Sequence, residues 1–204
     1  MGRGHGGSRG GGAGDNSGAV EEYVSGDGMW INQYLRGRGD FGELSPQEQQ
    51  YLHDLDKATS KALGEETDLY RSVDASAVFG PMSDMQYENL HSHIVYGAKD
   101  RIIVQSAQQT LGRAQGTRTD KGFMSTTKDE GLAADWGGFS GSDHPIVLKM
   151  RTNKGTRGRD LTKSDKALNA RMGQSEVLLG KGQSYKIGKV YGKNGSIYVD
   201  VTLQ

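Results

Sequence analysis

The stretch YKIGKVYGKNGSIYVDVTL, residues 185–203, carries two apolar runs, 185–192 and 196–203, on either side of Asn194-Gly195. A two-residue type I′ turn needs positive φ at both central positions, and Asn followed by Gly meets that need best, so the stretch predicts an antiparallel hairpin. Similar short apolar runs stand upstream, LYR at 69–71, GFMSTT at 122–127, PIVLKM at 145–150 and EVLLG at 176–180, and each predicts a strand. Between the first two, Met82 to about Ala114 is rich in Gln, Ala, His and Leu, which suits helices crossing from one part of a sheet to another.

The front of the chain reads differently. Ser45-Pro46-Gln47-Glu48 combines a capping Ser, Pro at the first helical position and a Glu that closes a capping box. The helix it starts is expected to run to about Leu63, with Tyr51, Leu52, Leu55, Ala58, Ala62 and Leu63 as its buried stripe. Upstream, apolar residues from Val20 to Leu35 keep helical spacing but are interrupted at Gly26 and Gly28, which predicts two short helices. Helices first and strands later make an α+β domain over residues 19–204. Residues 1–18 are half glycine and cannot bury enough apolar surface to offset their ordering entropy, so they read as a disordered tail or linker.

Composition narrows the function. Lys+Arg and Asp+Glu both number 25, so no global field exists to hold nucleic acid or an anionic membrane. Without cysteine there is neither a disulfide frame nor a thiol nucleophile, and the compartment cannot be read from redox chemistry. No run has the apolar length of a membrane span, and the glycine-rich start does not match a signal peptide, so any export or injection takes another route. His53, His91, His93 and His144 are scattered, and no metal site is expected. Nothing points to an oligomer, and a monomer is the default.

Three separated segments carry the chemistry: Leu69-Tyr70-Arg71-Ser72, Gly122-Phe123-Met124-Ser125-Thr126-Thr127, and Gln174-Ser175-Glu176-Val177-Leu178-Leu179. Each alone has an ordinary reading, as a strand-end ion pair, β-favouring hydroxyl residues and a strand-start charge. Together and in this order they resemble the Arg–Ser–Glu class of ADP-ribosyltransferase toxins and exoenzymes. The resemblance extends from Ile31-Asn32-Gln33-Tyr34-Leu35-Arg36 to the closing hairpin. It implies an ADP-ribosyltransferase fold, with N-terminal helices before a split two-sheet β core and NAD bound in the cleft. It also implies transfer of ADP-ribose from NAD to a target protein, without metal.

In that class the Glu stabilises the oxocarbenium-like state of the nicotinamide ribose, a part that falls to Glu176. Arg71 matches the arginine that grips the NAD pyrophosphate with a planar, permanently charged fork. Ser125 matches the hydroxyl that orients the carboxylate. Tyr70, Thr126, Thr127 and Phe139 complete the expected NAD-contacting set. Phe139 belongs to a segment, Phe139-Ser140-Gly141 and on to Pro145, that resembles the exoenzymes' loop over nicotinamide, with His144 in place of a basic residue there. Thr127 stands where the family usually has Ser, and Ser72 where Gly often follows the arginine.

Gln174, two before Glu176, faces the acceptor. Relatives with Gln there, such as the Rho-modifying clostridial exoenzymes, modify asparagine, whereas those with Glu commonly modify arginine. A neutral amide suits an amide acceptor. The expected acceptor loop, Thr162 to Gly173, lacks the aromatic ring with which that group grips its target, which argues against Rho. It carries Lys163, Lys166 and Arg171 against Asp165 alone, pointing to an acidic target patch. An NAD glycohydrolase using water as acceptor, and a phage head-associated module, are the rival functions.

Overall fold

The computed structural model describes residues 17–38, 42–139 and 142–204, without the side chains of residues 17, 27, 136–139, 171 and 172. Most of the glycine-rich segment at 1–18 therefore lies outside the described residues. The front is helical, as α1 (Ser17–Glu22), a single π-helical turn (Tyr23–Asp27) and α2 (Gly28–Leu35), with the kink at Gly26, where φ is 154°. Only glycine holds that angle without strain, so the interruption seen in the sequence becomes the bend between two short helices.

α3 (Pro46–Ala58) opens with the anticipated capping box, Ser45 and Glu48 bonding each other's backbone N–H groups. It stops five residues before Leu63. The Thr59 hydroxyl donates to the Leu55 carbonyl at 3.0 Å and Ser60 Oγ to Lys57 O at 2.8 Å, local bonds that compete with further helix. Residues 61–63 are drawn instead to the edge of the sheet. Lys61 O accepts from Gly158 N at 2.9 Å, and Leu63 N donates to Thr156 O at 2.8 Å.

Along the chain there follow β1 (Asp68–Asp74), α4 (Ser76–Phe79), α5 (Asp84–Ile94), α6 (Arg101–Leu111), β2 (Thr117–Asp120), β3 (Met124–Thr127) and α7 (Glu130–Phe139). Then come β4 (Pro145–Arg151), β5 (Gly158–Asp160), α8 (Leu161–Ser164), α9 (Lys166–Met172), β6 (Glu176–Leu179), β7 (Gln183–Lys193) and β8 (Ser196–Leu203). The strands β2 and β5 were not legible in the sequence. TRTD and GRD have no apolar alternation, because each is an edge strand whose outer side faces away from the core.

The sheet order is β2-β7-β8-β4-β1-β3-β6-β5, antiparallel except for the parallel β4–β8 pair. The β7–β8 hairpin turns on Asn194 and Gly195, at φ 49° and 79°, as the opening stretch required. β1 and β3 meet at one pair only, Tyr70↔Thr127, whereas β1 and β4 register over seven. That seam divides the ladder into the two halves the family resemblance implied, β2-β7-β8-β4-β1 and β3-β6-β5.

The main core joins both halves, bringing Leu69, Leu148, Met150 and Val199 to Met124, Val177 and Leu179, with α4, α5 and α6 closing it through Phe79, Leu90 and Ala107. A second core gathers Val20, Tyr23, Ile31 and Leu55 of the front helices onto Phe123, Leu161, Leu168 and Leu178. β6 is thus covered on both faces, and all four of its residues are buried. No described helix is long and apolar enough to cross a membrane.

Packing is tight where β7 passes α5. A Cβ built on Gly192 would stand 2.5 Å from Ile94 O and 2.9 Å from Val95 Cα, both backbone atoms that cannot swing aside. Gly192→Ala is therefore expected to destabilise the fold by about 1–3 kcal/mol, measured by chemical denaturation. An unchanged midpoint would mean that α5 docks more loosely than this geometry.

Candidate active site

Glu176 heads β6 and is 3% exposed. It pairs with Thr127, while Ser125 on β3 pairs with Leu178, two residues further along the same face of β6. The Ser125 hydroxyl hydrogen-bonds the Glu176 carboxylate, and Arg71 lies close enough to act on it by charge. Burial outweighs both and raises the Glu176 pKa from 4.5 to about 7. Arg71 sits mid-β1, half-buried, and its Nη1 donates to Ser125 O at 3.4 Å, across the seam. Burial lowers its pKa and the Asp120 carboxylate opposes that, but a guanidinium stays charged. Arg71, Ser125 and Glu176, far apart in sequence, thus form one constellation.

Several partners were not foreseen. Tyr23, 4% exposed, lies against Ser125, and its hydroxyl donates to Phe123 O at 3.5 Å and accepts from Asn32 Nδ2 at 2.7 Å. Asn32 Oδ1 in turn accepts from Phe123 N at 2.8 Å, so one amide on α2 fixes both the tyrosine and the start of β3. A Cβ on Gly122 would fall 2.4 Å from that same Oδ1. Arg36 forms a fork to Asp120, at 2.9 and 2.8 Å, beside this turn. The INQYLR segment was the available signal for Asn32 and Arg36; Tyr23 and Asp120 carried none.

The approach to Glu176 is also tethered. Residues 162–173 form no open loop. Asp160 and Asp165 cap α8 and α9, accepting from Thr162 N at 3.0 Å and Leu168 N at 3.1 Å, and Leu161 and Leu168 are buried. The local capping and two apolar anchors outweigh the polar composition that suggested a loop. Gly173 ends α9 in the left-handed region, and Ser175 follows at φ 46°, so the chain turns sharply around half-buried Gln174. Thr127 Oγ1 donates to Gln174 O at 2.6 Å, Lys128 N to Ser175 O at 3.1 Å, and Glu176 N to Asn169 Oδ1 at 3.2 Å.

Thr127 pairs with Glu176 and Thr126 with Val177; both are fully buried, and their hydroxyls donate to the backbone of the β6 strand and its entry, which fixes the carboxylate's strand. Tyr70, on the face of β1 opposite Arg71, packs with Ala133, Val147 and Tyr198 under α7. His144 stacks on Tyr87, ring centroids 4.8 Å apart, and bonds Asp84 at 3.0 Å. The Phe139 side chain lies outside the described residues. Among those residues no group of three or more His, Asp or Glu is placed to hold a metal.

Two stability predictions follow from this geometry. Because folded Glu176 holds its proton more tightly than the unfolded chain does, stability falls as pH rises from about 4.5 to about 7 and stays lower above. Glu176→Gln removes the buried charge, so its unfolding free energy at alkaline pH should equal or exceed that of the parent protein, by at most about 3 kcal/mol. The gap should close toward pH 4.5; a variant less stable at all pH would mean the carboxylate is structural. Asn169→Ala strands the Glu176 N–H and should cost about 1–3 kcal/mol in the same melts.

A family model described as ADP-ribosyltransferase exoenzyme matches residues 14–202. The chain is 29% identical over 193 residues to the epidermal cell differentiation inhibitor of Staphylococcus aureus, covering 92% of this chain and 72% of that protein. In fold it is similar to C3stau2 from S. aureus, solved with NAD, at TM-score 0.67 and 23% identity, covering 93% of this chain and 86% of that one. The Clostridium limosum C3 exoenzyme gives TM-score 0.64 and 20% identity, over 93% and 84% of the two chains. A match over nearly the whole chain, on a fold that gathers Arg71, Ser125 and Glu176, places this protein in the ADP-ribosyltransferase exoenzyme family, as an enzyme that transfers ADP-ribose from NAD to a protein acceptor.

Proposed function

We propose that Glu176, Ser125 and Arg71 are the groups through which this transferase acts, and that its acceptor is the amide of an asparagine. The buried, hydroxyl-bonded carboxylate of Glu176 beside a strand-held arginine carries the reading. Arg71, with Arg36 adding charge next to it, faces the NAD pyrophosphate, with Asp120 as the main carboxylate opposing them and Glu176 beyond. The Ser125 hydroxyl holds the Glu176 carboxylate toward the nicotinamide ribose, while Tyr23, itself fixed by Asn32, backs Ser125. As the C1′–N bond breaks, its electron pair leaves with nicotinamide, and the ionised Glu176 stabilises the positive charge on the ribose. The acceptor nitrogen then forms the new bond to C1′ and releases a proton.

Gln174 sits on the tethered left-handed turn immediately before the carboxylate, where its neutral amide can pair with the acceptor amide. That placement favours transfer over hydrolysis by water. A target surface of acidic character fits the basic residues that precede it.

Three outcomes test this reading. Glu176→Gln should lower nicotinamide release by at least about a hundredfold with NAD affinity nearly unchanged, as for loss of a transition-state contact. In the parent protein kcat/KM for nicotinamide release should rise with pH and level off above about 7, since the ionised carboxylate is the active form. Gln174→Ala should keep NAD hydrolysis but lose labelling of protein acceptors; equal loss of both activities would remove its acceptor role.

A further inference from the structure

On the far side of β6 from the NAD-facing arginines, the chain forms a groove of about 490 Å³ between the end of α3, the edge strand β5 and α8. Lys57, Lys61, Arg159 and Lys163 line it, and Asp160 is the one carboxylate in its wall. Asp160 is already bonded, to Lys128 at 2.7 Å and to Thr162 at 2.6 Å. Lys163 leans on Glu65 at 2.7 Å, while Lys57 and Lys61 are exposed at the mouth. The positive charge of the groove is concentrated at its mouth, on a chain whose net charge is zero, so its field is local.

Its position relates it to the site. Arg159 pairs with Leu178, two residues along β6 from Glu176 on the same face, so groove and carboxylate lie on the order of 10 Å apart by strand spacing. The last lining residues, Lys163 and Ser164, belong to α8, which the chain follows with α9 and then the turn that carries Gln174. We propose that this groove docks an acidic segment of the acceptor protein, holding it so that a neighbouring side chain reaches Gln174 and Glu176; the inference rests on the protein-acceptor reading above. The two exposed lysines at the mouth, Lys57 and Lys61, match neighbouring Asp or Glu side chains of such a segment, and they account for recognition without the aromatic grip that residues 162–173 lack.

The test is binding of a fluorescein-labelled oligoglutamate peptide to the full chain, followed by anisotropy. The parent protein should bind it with affinity that falls steeply with salt, and an oligolysine peptide of equal length should not bind. Lys57→Glu/Lys61→Glu should weaken binding by roughly tenfold or more. Lys57→Gln/Lys61→Gln should weaken it less, and guards against a helix-end effect of the reversed charge. Lys186→Glu/Lys189→Glu, on β7, should bind as the parent does.

Equal binding by all variants, equal loss in the β7 control, or displacement of the peptide by pyrophosphate at far lower concentration than by glutamate would overturn the proposal. Nicotinamide release from NAD, measured in parallel, should be unchanged in the lysine variants. A protein that releases nicotinamide but ignores the peptide would lose the groove and keep the transferase reading. One that binds the peptide but never releases nicotinamide would keep the groove and lose the catalytic assignment.

Discussion

A carboxylate that is 3% exposed has to find its hydrogen bonds and its counter-charge inside the protein, and the architecture around Glu176 is organised by that requirement. The hydroxyl comes from β3, the positive charge from β1 and the backbone tether from α9. Each lies on a different element, so the two halves of the sheet and the helices over them must meet at one point. The single-pair seam between β1 and β3 is where this happens: the ladder opens enough there for Arg71 to reach across to Ser125.

The front helices serve the same point from the other side. Asn32 on α2 bonds both Tyr23 and the backbone of Phe123, and the aromatic pair Tyr23–Phe123 packs edge to face at 5.9 Å. Since a side-chain amide has both a donor and an acceptor, one residue can close a link between helix and strand that two apolar residues could not orient. Ser125 therefore sits on a rigid strand, backed by a buried tyrosine, and its hydroxyl needs no search for the carboxylate. The opposing tendencies on Glu176, burial against hydroxyl and guanidinium, leave it titrating near neutrality, where a small change in its surroundings decides its charge.

The segment between β5 and β6 shows how position divides two tasks. Buried Leu161 and Leu168 anchor α8 and α9 to the second core, while Lys163 and Lys166 are exposed. The same anchoring fixes Asn169 under Glu176 and delivers Gln174 on a turn with two residues in the left-handed region. Ser175 accepts that conformation because Lys128 N and the Thr127 hydroxyl hold the carbonyls on either side of it.

The sequence by itself determined what local chemistry can encode: the Asn194-Gly195 hairpin, the capping box at Ser45, the break at Gly26 and six of the strands, and it singled out Arg71, Ser125 and Glu176, which the fold brings together. These depend on residues close in the chain or on a motif order shared by a family. Tertiary structure alone decided the rest. Edge strands β2 and β5 have no periodic signal to read, α3 ends early because residues 61–63 pair with a strand almost a hundred positions later, and residues 162–173 become helical on apolar contacts that sequence reads as isolated leucines. Tyr70 and Arg71 are adjacent in the chain yet point to opposite faces of β1, so neighbourhood in sequence could not tell which belongs to the site. Tyr23 and Asp120 gained their roles only when long-range packing brought a lone hydroxyl or carboxylate within bonding distance of a group it had no sequence relation to.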